Sequence, residues 1–261
     1  MLKVLKDLFE YKELLYALVS RDINARYKQT ILGIVWIFFK PIFSMVAMTI
    51  VFGKLAKMPS DGIPYALITL SGITLWQFFS IAVMEGASSL VSNSNLITKV
   101  YFSRVVLVMA PILVSAVDFL VSLGLFFLLA LFYGYFFSTK VILFPVIIII
   151  LILIIFGLSL FLATLNLLFR DIKIVIPFVL QLGIYISPVG YLTNIVPEKY
   201  LYLFYLNPLV GIIDAMRWCF FPTFGDFNWQ AMAISLLWMF LLIFYGVKFF
   251  SKFEKKFADY I

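Results

Sequence analysis

Long apolar runs separated by short polar steps dominate this sequence. Residues 1–28 differ from the rest, because charge and hydrophobicity alternate there. At 100° per residue, Lys3, Lys6, Asp7, Glu10, Glu13, Ser20, Arg21 and Asn24 share one face, with Leu5, Leu8, Phe9, Leu15, Tyr16, Val19 and Ile23 mostly opposite. A helix of that kind lies in the membrane interface and does not cross it. Residues 1–30 are therefore expected to form a cytoplasmic amphipathic interface helix. A cleavable signal peptide is not expected, because the segment lacks a short uncharged apolar core.

Crossing a hydrocarbon layer of roughly 30 Å takes about 20 apolar residues in a helix. Runs of that kind predict spans near residues 31–52, 65–84, 105–133, 141–169, 174–192 and 229–247. Pro41 should kink the first, and Pro177 with Ser187-Pro188 should bend the fifth. Residues 85–104 are too polar for lipid, yet Leu90, Ile97 and Val100 keep a helical spacing, which predicts a short helix at the cytoplasmic surface.

The stretch 197–228 decides the topology. It is apolar enough to cross, but it carries Asn207-Pro208, Asp214, Arg217 and Pro222. Were it to cross, the basic tail KFFSKFEKKF would lie outside, against the positive-inside tendency. A re-entrant segment leaves six spans and both termini in the cytoplasm. Of the 20 Lys and Arg, 14 then lie on the cytoplasmic side and five outside, with Lys40 inside a span. Irregular backbone at membrane depth is tolerated only against protein or a water-filled cavity, which points to a pathway. The expected fold is all-α and polytopic, with one transmembrane domain over 31–261.

Composition agrees. Apolar residues make up 64% of the chain and charged ones 13%, against roughly 45–50% and about a quarter in soluble domains. The surplus must face lipid, and no period-2 alternation suggests an outer-membrane barrel. The net charge of +7 sits beside apolar spans, so it reads as a topology signal and a contact to anionic lipid, not as a nucleic-acid surface.

Candidate chemistry is sparse. One cysteine, Cys219, and no histidine exclude disulfide frameworks, zinc sites and Cys–His or Ser–His catalysis within one chain. No GxxxxGK[ST] loop is present, so the chain lacks the standard grip on ATP. Ionisable groups at depth are few: Lys40, Glu85 near an end, and Asp118. A charge at depth costs roughly 2.5–3.5 kcal/mol, which marks Asp118 as a functional candidate or as a packing partner of Ser115, Ser122 or another helix. Lys40 either faces protein, water or a partner chain, or snorkels from a tilted helix. Aromatics reach 19%; Trp36, Phe39 and Phe43 share a face of the first span, and Tyr185 lies in the fifth. Their flat faces suit stacking on sugars as well as ordinary packing.

Several blocks resemble one family. RDINARYKQTILGIVWIFFKP (21–41), NSNLITKVYFSR (93–104), LNLLFRDIKIVIPFVLQ (165–181), SPVGY (187–191) and NPLVGIIDAMR (207–217) are similar, in family order, to bacterial polysaccharide ABC exporter permeases of the type-2, O-antigen kind. Ser103 departs from the pattern, since relatives often carry proline before the arginine.

The resemblance implies a non-enzymatic permease in the inner membrane. It would be a homodimer bound to two copies of a separate ATPase that carries ATP and Mg, with a lipid-linked glycan as cargo. It implies a coupling or gate helix over 86–99, with Asn93, Asn95, Lys99, Arg104, Arg170 and Asp171 at the ATPase contacts and Arg21, Asp22 and Arg26 in the interface helix. It places two short re-entrant helices over 197–221, with Asn207, Pro208, Asp214 and Arg217 at an outer gate. The first and fifth spans would line the conduit, which makes Trp36, Phe39, Lys40, Phe43 and Tyr185 its candidate lining. Other cargoes (teichoic acid, lipid or drug) remain open, as does an ion-coupled secondary transporter, although no internal repeat supports the latter.

Overall fold

In the computed structural model, residues 2–28, 35–135, 137–169 and 171–257 are described. Among them the chain is all-helical. Helices α1 (Leu2–Glu10) and α2 (Lys12–Lys28) precede α3 (Val35–Met48), which continues as a π-helical turn over Thr49–Leu55. Then follow α4 (Tyr65–Ser92), α5 (Ser94–Lys99), α6 (Val105–Phe132), α7 (Phe144–Leu168), α8 (Ile172–Ile186), α9 (Glu198–Tyr205), α10 (Pro208–Phe220) and α11 (Trp229–Phe253). Among the described residues, five stretches are long and apolar enough to cross a membrane: Val35–Leu55, Tyr65–Ser92, Val105–Phe132, Thr139–Leu168 and Trp229–Phe253. Helix α8 is apolar but shorter, at 15 residues.

Helix α4 is the hub. It packs along α6 on one side and α7 on the other, and every residue from Ala66 to Trp76 is buried. A helix that is apolar all round belongs in an interior, and here the interior is the middle of the bundle. Helix α11 docks on α7 at closest approach through Gly157 and Gly246. A Cβ on Gly246 would sit 2.2 Å from the Gly157 carbonyl oxygen, so only glycine lets these backbones meet.

Three boundaries differ from the sequence expectation. The amphipathic stretch is two helices, interrupted at Tyr11. Residues 86–92 do not open a separate surface helix; they extend α4, and only Ser94–Lys99 stands apart as α5. The polar run stays helical because its hydroxyls bond to their own backbone: Ser88 donates to the carbonyls of Met84 and Glu85, Ser89 to Gly86 and Ser92 to Ser89. The fifth run ends at Ile186 and not near 192, because Pro188 forces Ser187 into extended backbone (φ −96°, ψ 150°). Helix α3 continues through Pro41, and the departure from α geometry comes later, at Thr49–Leu55.

Candidate functional site

Where α2 meets the bundle, one arginine is shared between two carboxylates on two spans. The Arg26 guanidinium donates through Nη2 to both Glu85 oxygens (2.6 Å each) and through Nη1 to Asp118 Oδ2 (2.5 Å). The Tyr27 hydroxyl donates to the other Asp118 oxygen. Helix α2 lies on α6, Glu85 is two turns from the C-terminal end of α4, and Asp118 is at the midpoint of α6. The group therefore ties the interface helix to both spans. Burial would lower the Arg26 pKa, but the two carboxylates outweigh it and raise the value. Burial first, and then the bond to Asp118, push the Tyr27 phenol up.

A second feature is the pair of apolar faces without cover. On α3, Phe39 stacks on Phe43 with centroids 5.6 Å apart, and Trp36 meets Phe39 edge-on at 6.4 Å. Phe43 is 63% exposed and Tyr185 on α8 is 65% exposed. Lys40 is exposed on the same helix. Ile176 is the one buried residue of α8, whereas Ile174, Val175, Phe178, Val179, Leu182 and Ile186 all stand open.

The third feature joins α10 to the segment after α8. Arg217 is 0% exposed, and its guanidinium donates to the carbonyls of Ile68 (3.1 Å), Val189 (3.2 Å) and Tyr191 (2.9 Å) and to the Ser71 hydroxyl (3.4 Å). Asp214 accepts from Thr193 Oγ1 (2.7 Å) and Asn228 Nδ2 (3.1 Å). Asn207 caps α10 by accepting from the Leu209 amide and donates to Ser187 Oγ, while Pro208 fills the first helical turn. Gly72 lets Val189 approach: a Cβ there would lie 2.5 Å from the Val189 oxygen. Asn207, Asp214 and Arg217 thus lock the segment 187–193 onto α10, with Asp214 and Arg217 buried and Asn207 half-buried.

The residues assigned to ATPase contact are scattered over one surface. Asn93 accepts from Arg21 Nη2 (3.3 Å) and donates to the Ser89 carbonyl (2.9 Å). Arg21 also pairs with Asp22 at 2.7 Å. Asn95 and Lys99 are exposed on α5. The Arg104 amide donates to Glu254 (3.3 Å), joining the start of α6 to the end of α11, and its guanidinium lies over the Tyr101 ring. Asp171 is exposed at the start of α8, and Arg170 lies outside the described residues. Ser103 donates to Asp7 (2.8 Å), so the residue that departs from the family pattern fastens α1 to the entrance of α6.

The sequence profile of the ABC-2 type transporter family matches residues 13–221, from the interface helix through α10. The chain belongs to this family. In it, the chain is a membrane subunit and the ATPase is a separate one. Among similar proteins, the O-antigen export system permease protein RfbA of Myxococcus xanthus is 30% identical over 223 residues, covering 85% of each chain. The RfbA permease of Klebsiella pneumoniae is 26% identical over 248 residues, 95% of this chain and 94% of its own. The polysialic acid transport protein KpsM of Escherichia coli is 21% identical over 229 residues, 87% of each.

For this ABC-2 member, sequence reasoning singled out Asp118 and left its partner open. Arg26 stands 92 residues away and Glu85 another 33 from Asp118, so no local spacing could join them. The usable signal was cost: an aspartate inside a span requires a cation or donor, and the interface helix supplies both.

Proposed function

We propose that this chain is the permease of an ATP-driven exporter that moves a lipid-linked, O-antigen-like polysaccharide outward across the inner membrane. It works as a homodimer bound to two copies of a cytoplasmic ATPase. Those copies hold ATP and Mg, and this chain binds no cofactor of its own.

The observation that carries the reading is the uncovered pair α3 and α8. A 15-residue apolar helix that buries only Ile176 against its own chain needs another surface. The aromatic row of α3 stands open in the same way. A second copy placed against these faces would enclose a conduit whose walls carry Trp36, Phe39, Lys40, Phe43 and Tyr185. Rings of this kind offer stacking planes to sugars without gripping any one of them, which suits a long polymer in transit.

Topology follows from the same reading. Helix α8 is about 22 Å long by its 1.5 Å rise, and with 187–192 it serves as the fifth of six spans. Helices α9 and α10, with 8 and 13 residues, are each too short to cross, and they re-enter on the outer side with Asn207, Pro208, Asp214 and Arg217 holding the gate. Both termini then lie in the cytoplasm. The relatives named as O-antigen and polysialic acid proteins support a glycan cargo over lipid or drug.

Co-purification with the ATPase encoded beside it, assayed for hydrolysis in lipid, tests the central claim. A two-plus-two complex with altered hydrolysis is expected, and no association with any such ATPase would overturn it. In a Cys219→Ala background, Val179→Cys on α8 should give a disulfide-linked dimer if that face meets its twofold mate. Persistent monomer under oxidation would remove α8 from the dimer seam.

A further inference from the structure

A cleft of about 530 Å³ opens between α2, α3, α4 and α6. Four charged side chains line it: Arg26, Lys40, Glu85 and Asp118. Three of them form the clamp, in which two carboxylates share one guanidinium and one formal negative charge is left over. The fourth, Lys40, has no carboxylate partner among the described residues. The charges of the cleft therefore sum to zero without being paired one to one. A surplus carboxylate and a lone ammonium within a bundle are each costly, and each supplies what the other lacks.

Register shows which carboxylate stands opposite Lys40. Helices α3 and α4 run antiparallel: Thr49 Oγ1 is 3.2 Å from Thr69 Oγ1, and Gly53 lies against the Tyr65 ring. Counted back nine residues from Thr49, Lys40 comes level with Phe78, nine residues after Thr69. The Phe78 ring packs on Phe119 with centroids 4.9 Å apart, and Phe119 follows Asp118 directly. Glu85 lies seven residues farther along α4, about 10 Å away. Lys40 is therefore level with Asp118 across the cleft. Ser115, one turn from Asp118 on α6, lines the same cleft with a buried hydroxyl that has no hydrogen-bond partner among the described residues. An ammonium arriving at Asp118 has three donors to place and finds a further acceptor there.

Helix α3 is pinned at one end and loose at the other. Its π-helical turn is held by the Thr49–Thr69 contact, by Phe52 against Gly190 and Tyr191, and by Gly53 under Tyr65. From Val35 to Met48, by contrast, only Pro41 is buried. A π-helical turn between a fixed and a free portion is a natural hinge.

We propose that α3 swings on this turn and lays Lys40 on Asp118, an ionic latch that shuts the cleft and takes over half of the clamp. In the latched state Arg26 keeps both Glu85 oxygens, Lys40 takes Asp118 Oδ2, and one shared cation becomes two one-to-one pairs. The Tyr27 bond persists, since it occupies the other Asp118 oxygen. Of the clamp's bonds from α2 to α6, only that one then remains, so closing α3 loosens α2. Lys40 is in this way a positioning residue for the interface helix. The latch depends on neither the cargo nor the ATPase.

The test uses the full chain in lipid nanodiscs, with Cys219→Ala removing the one native cysteine. Ile81→Cys then places a thiol on the α4 wall of the cleft, level with Ile37 of α3 by the same register. Its reaction with a small maleimide should be slow while Lys40 can latch. Lys40→Met keeps the length of the side chain and removes the charge, and it should speed the reaction at least threefold. Lys40→Arg should keep it slow. Asp118→Asn should speed it as well, and adding Lys40→Met to Asp118→Asn should bring no further increase. Lys40 is exposed, so its variants keep the fold. A lipid-soluble carbodiimide joins an ammonium and a carboxylate in contact as an amide, with loss of one water. Peptide mass spectrometry of the otherwise native chain should find that amide between Lys40 and Asp118. Absence of the amide would overturn the proposal, as would an amide from Lys40 to Glu85 or to the second copy instead. Equal Ile81→Cys rates with Lys40 and with Lys40→Met would overturn it too.

Discussion

Two arginines each fasten a short helix to the bundle, and they do so by opposite means. Arg217 is fully buried and spends its donors on three backbone carbonyls and a hydroxyl. Arg26 is 27% exposed and spends its donors on two carboxylates. Carbonyl oxygens cannot be protonated or swapped for water in a sealed site, so the α10 lock is permanent. The carboxylates of Glu85 and Asp118 are 34% and 20% exposed and keep access to water, so the α2 clamp is one that can let go. On the proposed function, an outer closure would call for the first kind, and an interface helix that answers to an ATPase would call for the second, with the clamp as its two-state element.

The largest effect is expected where the contrast is sharpest. Arg217→Ala leaves the carbonyls of Ile68, Val189 and Tyr191 without their donor and Asp214 without its nearby cation. The cost is about 3–5 kcal/mol, read as a fall in Tm and loss of assembled protein. Arg217→Lys should recover little of it, since an ammonium cannot reproduce the planar fork. Near-normal stability of Arg217→Ala would mean that the lock is no lock. Breaking the clamp should cost less: Asp118→Asn is expected to lose about 1–2 kcal/mol, because its partners keep some access to water. Export, however, should fall more than stability does, and equal losses in both would reduce Arg26 and Asp118 to a structural pair.

How much of this contrast was legible beforehand depended on sequence distance. The spans, the interface helix and the basic tail follow from composition and period, which act locally. The extension of α4 to Ser92 did not follow, because serine hydroxyls can satisfy themselves on their own helix, and a polar string then looks like a loop. Asp118 stood out by cost alone, whereas its pairing with Arg26 needed the fold. Arg217 stood out as a charge in an apolar stretch, but its carbonyl partners near 68 and 189 were invisible, since every residue offers a carbonyl and the sequence cannot say which is free.

Alkaline pH sharpens the comparison from one side. The Tyr27 phenol lies above its ordinary value of 10.0, by burial first and then by its bond to Asp118. A group whose folded pKa is raised contributes stability that is fully present below the unfolded value and is lost as pH rises through the folded one. Docking of α2 should therefore weaken only in strongly alkaline solution, above about pH 10. Tyr27→Phe should abolish that component and leave the rest of the pH profile unchanged. Tryptic release of the first 28 residues across pH measures it; an unaltered alkaline limb in the variant would remove Tyr27 from the clamp.

The smallest stability effect is expected at Asn93, and it is there that the clamp reading is most exposed to refutation. Asn93 stands between α4 and α5 and accepts from Arg21 on α2 at 3.3 Å, at an exposed position. Its side chain does not cap α5, and the Ser89 carbonyl it also donates to keeps the Asn93 backbone amide as a donor, so Asn93→Ala should change stability by no more than about 0.5 kcal/mol. If α2 transmits motion, the bond matters for what it connects: Arg21 lies only five residues from Arg26, so a push on α5 reaches the clamp through α2. ATPase stimulation by the permease should then fall severalfold in Asn93→Ala, with Tm and dimer intact, and Lys99→Ala on α5 should act in the same direction. Unchanged hydrolysis in both variants would show that the ATPase signal enters elsewhere. The α2 clamp would then be as fixed as the Arg217 lock, and the two arginines would differ in chemistry without differing in role.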